Sequence, residues 1–187
     1  MNKVNANING LKFEKGTRLI EAIDNTDLFH IKIIKRKKEH PEGEVYTKDK
    51  GELLAEVLNG WNFYREFLEP KCGIKTVRRF SAHNRLSKNL EPDEALINYT
   101  NNHIYIIEKK YQGGSGSVDE KLQTCKFKLQ QYEKLIRKTD FTISYTYLLS
   151  SFYNNKQYSD VFAFIRNEQC NYFFDEVPLE QVGLFKK

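Results

Sequence analysis

Between residues 53 and 68 the apolar positions Leu53, Leu54, Val57, Leu58, Trp61, Tyr64 and Leu68 recur at helical intervals, and this stripe predicts a helix over Asp49 to Leu68. Gly60 dents that helix without ending it, and the stop comes at Pro70 and Gly73. An earlier amphipathic helix is predicted over Gly10 to Asp24 from Phe13, Leu19, Ile20 and Ile23, weakened by Gly16. A long one runs from Val118 to about Lys138, opened by a Ser117 and Glu120 capping box. Its stripe of Val118, Leu122, Cys125, Leu129, Tyr132 and Leu135 or Ile136 is set to pack on a sheet. A last helix covers Tyr158 to Asn167. Strand-like runs are Phe29 to Ile34, Ile74 to Phe80, Ala95 to Tyr99, His103 to Tyr111, Thr142 to Leu149 and Asn171 to Phe174, with a loop around Pro41 from His40 to Gly43. The order gives an α/β fold, a central mixed sheet flanked by helices, in one domain spanning 1–187.

The hairpin from Ala95 to Tyr111 carries the candidate chemistry. Pro92 and Asp93 precede its first strand, and Glu108, Lys109 and Lys110 end its second. With the turn centred between Asn101 and Asn102, Asp93 lies opposite Lys110. Alternate strand residues share a face, so Asp93, Glu108 and Lys110 converge on one side at one end of the hairpin. Moving the register by one pairing flips Asp93 to the other side. Mg²⁺ takes oxygen ligands and is commonly held by one or two carboxylates plus substrate phosphate oxygens, which suits Asp93 and Glu108 as ligands. Lys110 is then placed to orient an attacking water or to stabilise developing charge. The bland alternative is a polar strand end beside a turn aspartate. Ile104 to Ile107 weighs against it, because a strand apolar on both faces is a buried one, and a charged triplet at its end is unusual outside a site.

A net charge of +5 suits a polyanionic partner without requiring one. Cys72, Cys125 and Cys170 fit neither a disulfide framework nor a zinc spacing, and Cys125 falls on the apolar stripe as a structural residue. The histidines His30, His40, His83 and His103 show no ligand spacing either. No stretch resembles a signal peptide or a membrane span, so the expected compartment is the cytoplasm, with no membrane partner. The loop Gln112 to Ser117 lacks the Gly-Lys-Ser/Thr of a nucleotide P-loop. A glycine-rich loop entering a helix can nonetheless cradle phosphate, and this one leaves the strand carrying Glu108 and Lys110.

Pro92, Asp93, Glu108, Lys109, Lys110 and Gln112, followed by Gly114 to Leu122, resemble the PD-(D/E)XK nuclease superfamily and, within it, type II restriction endonucleases. The resemblance implies a core of helix, three-stranded antiparallel meander, helix and strand, covering about Gly10 to Leu149. It implies Mg²⁺-dependent cleavage of double-stranded DNA by a homodimer at a short palindromic site. A first-helix glutamate often completes such sites; Glu14 is the candidate, with Glu52 and Glu56 as rivals. Gln112, Gly114, Ser115 and Ser117 fall in the matching loop, and Arg78, Arg79, Asn84, Arg85 and Lys88 are candidate contacts to base edges or phosphates. A structure-selective nuclease of the same fold and a DNA-binding module without catalysis are the alternatives.

Overall fold

The computed structural model describes residues 3–35, 41–74, 86, 88–113 and 118–185. Seven strands form one sheet in sequence order: β1 (Phe29–Lys35), β2 (Glu42–Thr47), β3 (Leu53–Leu58), β4 (Glu94–Asn98), β5 (His103–Lys110), β6 (Thr142–Leu149) and β7 (Asn171–Phe174). The first five pair antiparallel as a meander, while β6 runs parallel to β5 and β7 parallel to β6. The starts of β2 and β4 and the ends of β3, β5 and β6 therefore gather at one end of the sheet. That end carries Asp93 and Glu108.

Each face of the sheet has its own core. On one, Ala95, Ile97, Ile104 and Ile106 pack with Phe63, Tyr64, Phe67, Leu129, Tyr132 and Ile165. On the other, Val45, Ala55, Val57, Leu96 and Ile107 pack with Leu19, Ile20, Ile23 and the C-terminal Val177, Val182 and Leu184. Period-2 alternation assigns the sides: Ile106 belongs to the first core and Ile107 to the second. Ile104, Ile106 and Ile107 are all fully buried, as expected of a central strand.

The stripe over 49–68 does not form one helix. Leu53–Leu58 is β3, and helix begins only at Gly60, through α3 (Gly60–Asn62), a π-helical stretch Phe63–Leu68 and α4 (Glu69–Cys72). Leu, Ala and Glu favour helix locally, but here β2 and β4 offer hydrogen-bonding edges on both sides, and tertiary pairing overrides propensity. Gly60 marks the change: its φ of 42° is one that glycine adopts without strain, and its N–H donates to the carbonyl of Pro92 at 2.9 Å. β2 is likewise a strand where a loop was expected up to Gly43.

The predicted helix over 10–24 is two helices, α1 (Lys3–Gly16) and α2 (Leu19–Asn25), separated at Thr17 and the extended Arg18. Thr17 Oγ1 donates back to the Phe13 carbonyl at 2.7 Å, closing α1 locally. The helix expected from Val118 also divides, into α5 (Val118–Leu122) and α6 (Cys125–Ile136), where Thr124 Oγ1 donates to the Lys121 carbonyl at 2.7 Å. Its apolar stripe packs as expected, with Leu122, Cys125, Leu129, Tyr132, Leu135 and Ile136 buried. α7 (Ser159–Asn167), β6 and β7 match their predicted spans within a residue. Residues 75–80 of the strand expected over 74–80 and the Ser117 half of the capping box lie outside the described residues, while Ile74 is buried and not in a strand.

Candidate active site

The β4–β5 pairing sets Glu94 against Ile107 and Asn98 against His103. Continued one step, it places Asp93 across from Glu108 rather than Lys110. The displacement from the expected register is two residues, an even number, so the face of Asp93 is preserved. Asp93, Glu108 and Lys110 lie together on the side of the sheet that α6 covers.

Asp93 Oδ2 accepts a hydrogen bond from the Lys109 backbone N–H at 2.7 Å. Its carboxyl is nevertheless pushed up to about 6, first by burial and then by the neighbouring negative charge of Glu108, with Glu14 adding to it; Lys110 and the Lys109 amide oppose the shift. Glu108 goes the other way. Burial raises it, but Lys110 and Lys128 outweigh burial and hold it below the usual carboxylate range. Glu108 Oε1 accepts from Lys110 Nζ at 2.7 Å and from Lys128 Nζ at 2.8 Å, and Lys110 Nζ also donates to the Lys109 carbonyl at 3.1 Å.

Lys109 points to the opposite side and ties the first helices to this sheet end. Its Nζ sits 2.9 Å from Glu94 Oε2, with both side chains at most 5% exposed, and donates to the Glu14 carbonyl at 3.3 Å. Glu94 Oε1 in turn accepts from Leu19 N at the start of α2 at 3.0 Å. Glu14 is thereby held near Asp93, and a cavity of ≈ 40 Å³ between them is lined by Glu14, Arg18, Pro41, Asn59, Asp93, Glu94 and Lys109. Glu52 and Glu56 are not on a helix facing the site. Glu52 lies at the far turn, where its carbonyl bonds Thr47 N, and Glu56 accepts from Tyr99 Oη at 2.9 Å. Of the three glutamates, only Glu14 stands beside Asp93.

The remaining candidates divide. Gln112 is buried: its N–H donates to Ser150 Oγ at 3.2 Å and its Oε1 accepts from Tyr153 Oη at 3.2 Å, so it braces the end of β5 rather than facing outward. Lys88 is exposed. Arg78, Arg79, Asn84, Arg85, Gly114, Ser115 and Ser117 lie outside the described residues. Lys128, outside the motif positions, is a further residue of the site through its contact with Glu108. Its signal was positional, because 128 is three residues after buried Cys125 and four before buried Tyr132 and so shares their side of α6.

A larger pocket of ≈ 750 Å³, lined among others by Asp27, Lys48, Glu52, Thr100 and Phe185, contains none of Glu14, Asp93 and Glu108. Among the described residues no three His, Cys, Asp or Glu side chains gather into a set that would hold a metal ion unaided. Asp93 and Glu108 remain a hard, all-oxygen pair whose mutual repulsion a cation would relieve, and two carboxylates suffice for an ion completed by water and substrate oxygens. Among the described residues no helix is long and apolar enough to cross a membrane. Comparison with protein-family models, with curated proteins and with solved structures finds no match.

Proposed function

We propose that the chain is a Mg²⁺-dependent nuclease of the PD-(D/E)XK type, hydrolysing phosphodiester bonds in double-stranded DNA at a short specific site, as a restriction endonuclease does. The observation that carries this reading is the convergence of Asp93, Glu108 and Lys110 on one face at the end of a buried hairpin. The order α1, β3, β4, β5, α6 and β6, in a mixed sheet flanked by helices, supports the reading at the level of an α/β fold. Asp93 and Glu108 are the carboxylates that would hold Mg²⁺. When bound, the ion lowers the pKa of its water and offsets charge on the phosphoryl group. Lys110, two residues beyond Glu108 on the same face, presents its ammonium to the attacking water and to the charge that develops on phosphate oxygens. Glu14 adds negative charge behind Asp93. The Lys109 amide fixes the Asp93 carboxylate through its 2.7 Å hydrogen bond, which limits its rotation before substrate arrives.

The test is digestion of DNA of known sequence by purified protein with Mg²⁺, followed by mapping of the fragments. Wild type is expected to give discrete fragments, and Asp93→Ala and Lys110→Ala none, each variant retaining its fold by circular dichroism. Cleavage by either variant at near the wild-type rate overturns the assignment.

A further inference from the structure

Lys128 belongs to none of the motif positions, yet it reaches the centre of the site. Its stem leaves α6 between buried Cys125 and Tyr132, its Nζ lies 5.8 Å from the centroid of the Tyr145 ring, and its side chain is only 22% exposed. Nζ ends on Glu108 Oε1, the same oxygen that Lys110 contacts. One carboxylate oxygen is thus shared by two ammonium groups, one borne by the strand and one by the helix. Lys110 Nζ has a second acceptor in the Lys109 carbonyl, whereas among the described residues Lys128 Nζ has no hydrogen-bond acceptor besides Glu108. A cation taken up by Glu108 competes with both ammonium groups for the same oxygen lone pairs. Among the described residues Lys128 is the one without an alternative, and a largely buried ammonium released from its carboxylate is stabilised by another anion within reach.

Resting on the nuclease reading, we propose that Lys128 is a phosphate-binding residue of this site, exchanging Glu108 for a backbone phosphate when cation and DNA bind together. In the free protein the Lys128–Glu108 pair then acts as a placeholder that lowers cation affinity. In the complex the same ammonium neutralises a phosphate oxygen, as lysine does as a point charge. Cation and DNA each favour the release that the other requires, so their binding is mutually reinforcing.

Lys128→Gln separates this from a purely structural ion pair, because the two predicted effects have opposite sign. Binding of Mn²⁺ to DNA-free protein, followed by electron paramagnetic resonance, is expected to tighten several-fold. Binding to a duplex in Ca²⁺, followed by fluorescence anisotropy, is expected to weaken about tenfold, the size of one charge-assisted hydrogen bond. Lys128→Arg, which keeps charge and stem, is expected to bind duplex within about twofold of wild type. If Lys128→Gln binds duplex as wild type does, or binds Mn²⁺ no more tightly, the proposal is overturned; should Lys128→Gln not fold, duplex binding by Lys128→Met decides. Failure of the nuclease reading looks different: wild type itself would neither cut DNA nor bind Mn²⁺ in a manner abolished by Asp93→Ala.

Discussion

At Asp93 the fold opposes a charge that the proposed chemistry needs. Burial and the proximity of Glu108 and Glu14 raise its carboxyl to about 6, against Lys110 and the Lys109 amide, which favour ionisation. Without a cation, the folded chain therefore holds the Asp93 proton more tightly than the unfolded chain, whose aspartates release theirs near 3.9. Stability from this group is fully present below about pH 4 and is lost as pH rises through about 6. Asp93→Asn keeps the shape and removes the titration. In EDTA it is expected to gain on the order of 1–3 kcal/mol over wild type at pH 7.5, with the gain shrinking towards pH 4.5. Denaturation midpoints for both proteins across that range check this, and an equal gain at both ends contradicts it. The motif carboxylates and lysine were legible because a strand's period of 2 fixes their common side whatever the even-numbered register. Lys128 was not, because only the packing of α6 over Tyr145 brings it to Glu108.

Among the elements, the π-helical stretch Phe63–Leu68 does the positioning. Tyr64 Oη donates to the Leu90 carbonyl at 2.8 Å and accepts from the Leu90 N–H at 2.9 Å, and Tyr132 Oη from α6 donates to the same carbonyl at 3.2 Å. Leu90 stands two residues before Pro92, whose carbonyl Gly60 grips. The approach to Asp93 is thus pinned from two helices. Tyr64→Phe removes the acceptor of the Leu90 N–H and leaves the Leu90 carbonyl only the longer Tyr132 contact, and it is expected to cost about 1–3 kcal/mol and to slow cleavage. Tyr132→Phe leaves the Leu90 carbonyl its Tyr64 partner and should have the smaller effect on both. Chemical denaturation with cleavage rates on the same preparations tests the order, and unimpaired cleavage by Tyr64→Phe would remove this role from the helix. The same region shows why the sequence misled at element scale. Leu53, Leu54, Val57 and Leu58 satisfy a helical stripe and a two-sided strand equally, and the choice was made by pairing partners far along the chain. β4 to β7 and α7 were legible because turn residues bound them closely and their β-branched and aromatic content agrees with their setting. Gly16, where the predicted helix was weakest, is where α1 ends before the break at Thr17, whereas no pattern in the sequence announced the break at Thr124.

Taken as a whole, the chain presents one Asp93–Glu108–Lys110 constellation, at one end of a sheet whose two faces are both covered. Under the proposed nuclease reading, a single site of this kind would cut one strand at a time. A double-strand break at a defined sequence needs two sites in fixed relation, which a two-fold dimer supplies from one gene while matching a palindromic target. We therefore expect two chains on one duplex, each cutting its own strand. With supercoiled plasmid carrying a single target, linear product should form with little build-up of nicked circles, and sedimentation with a short duplex in Ca²⁺ should give two chains per DNA. Dilution below the assembly constant should suppress linear product faster than nicking, because a lone chain retains chemistry but not the second strand. If nicked circles are the end product and one chain sediments per duplex, the dimer is wrong, and the same site is better read as that of a nuclease selecting DNA by shape.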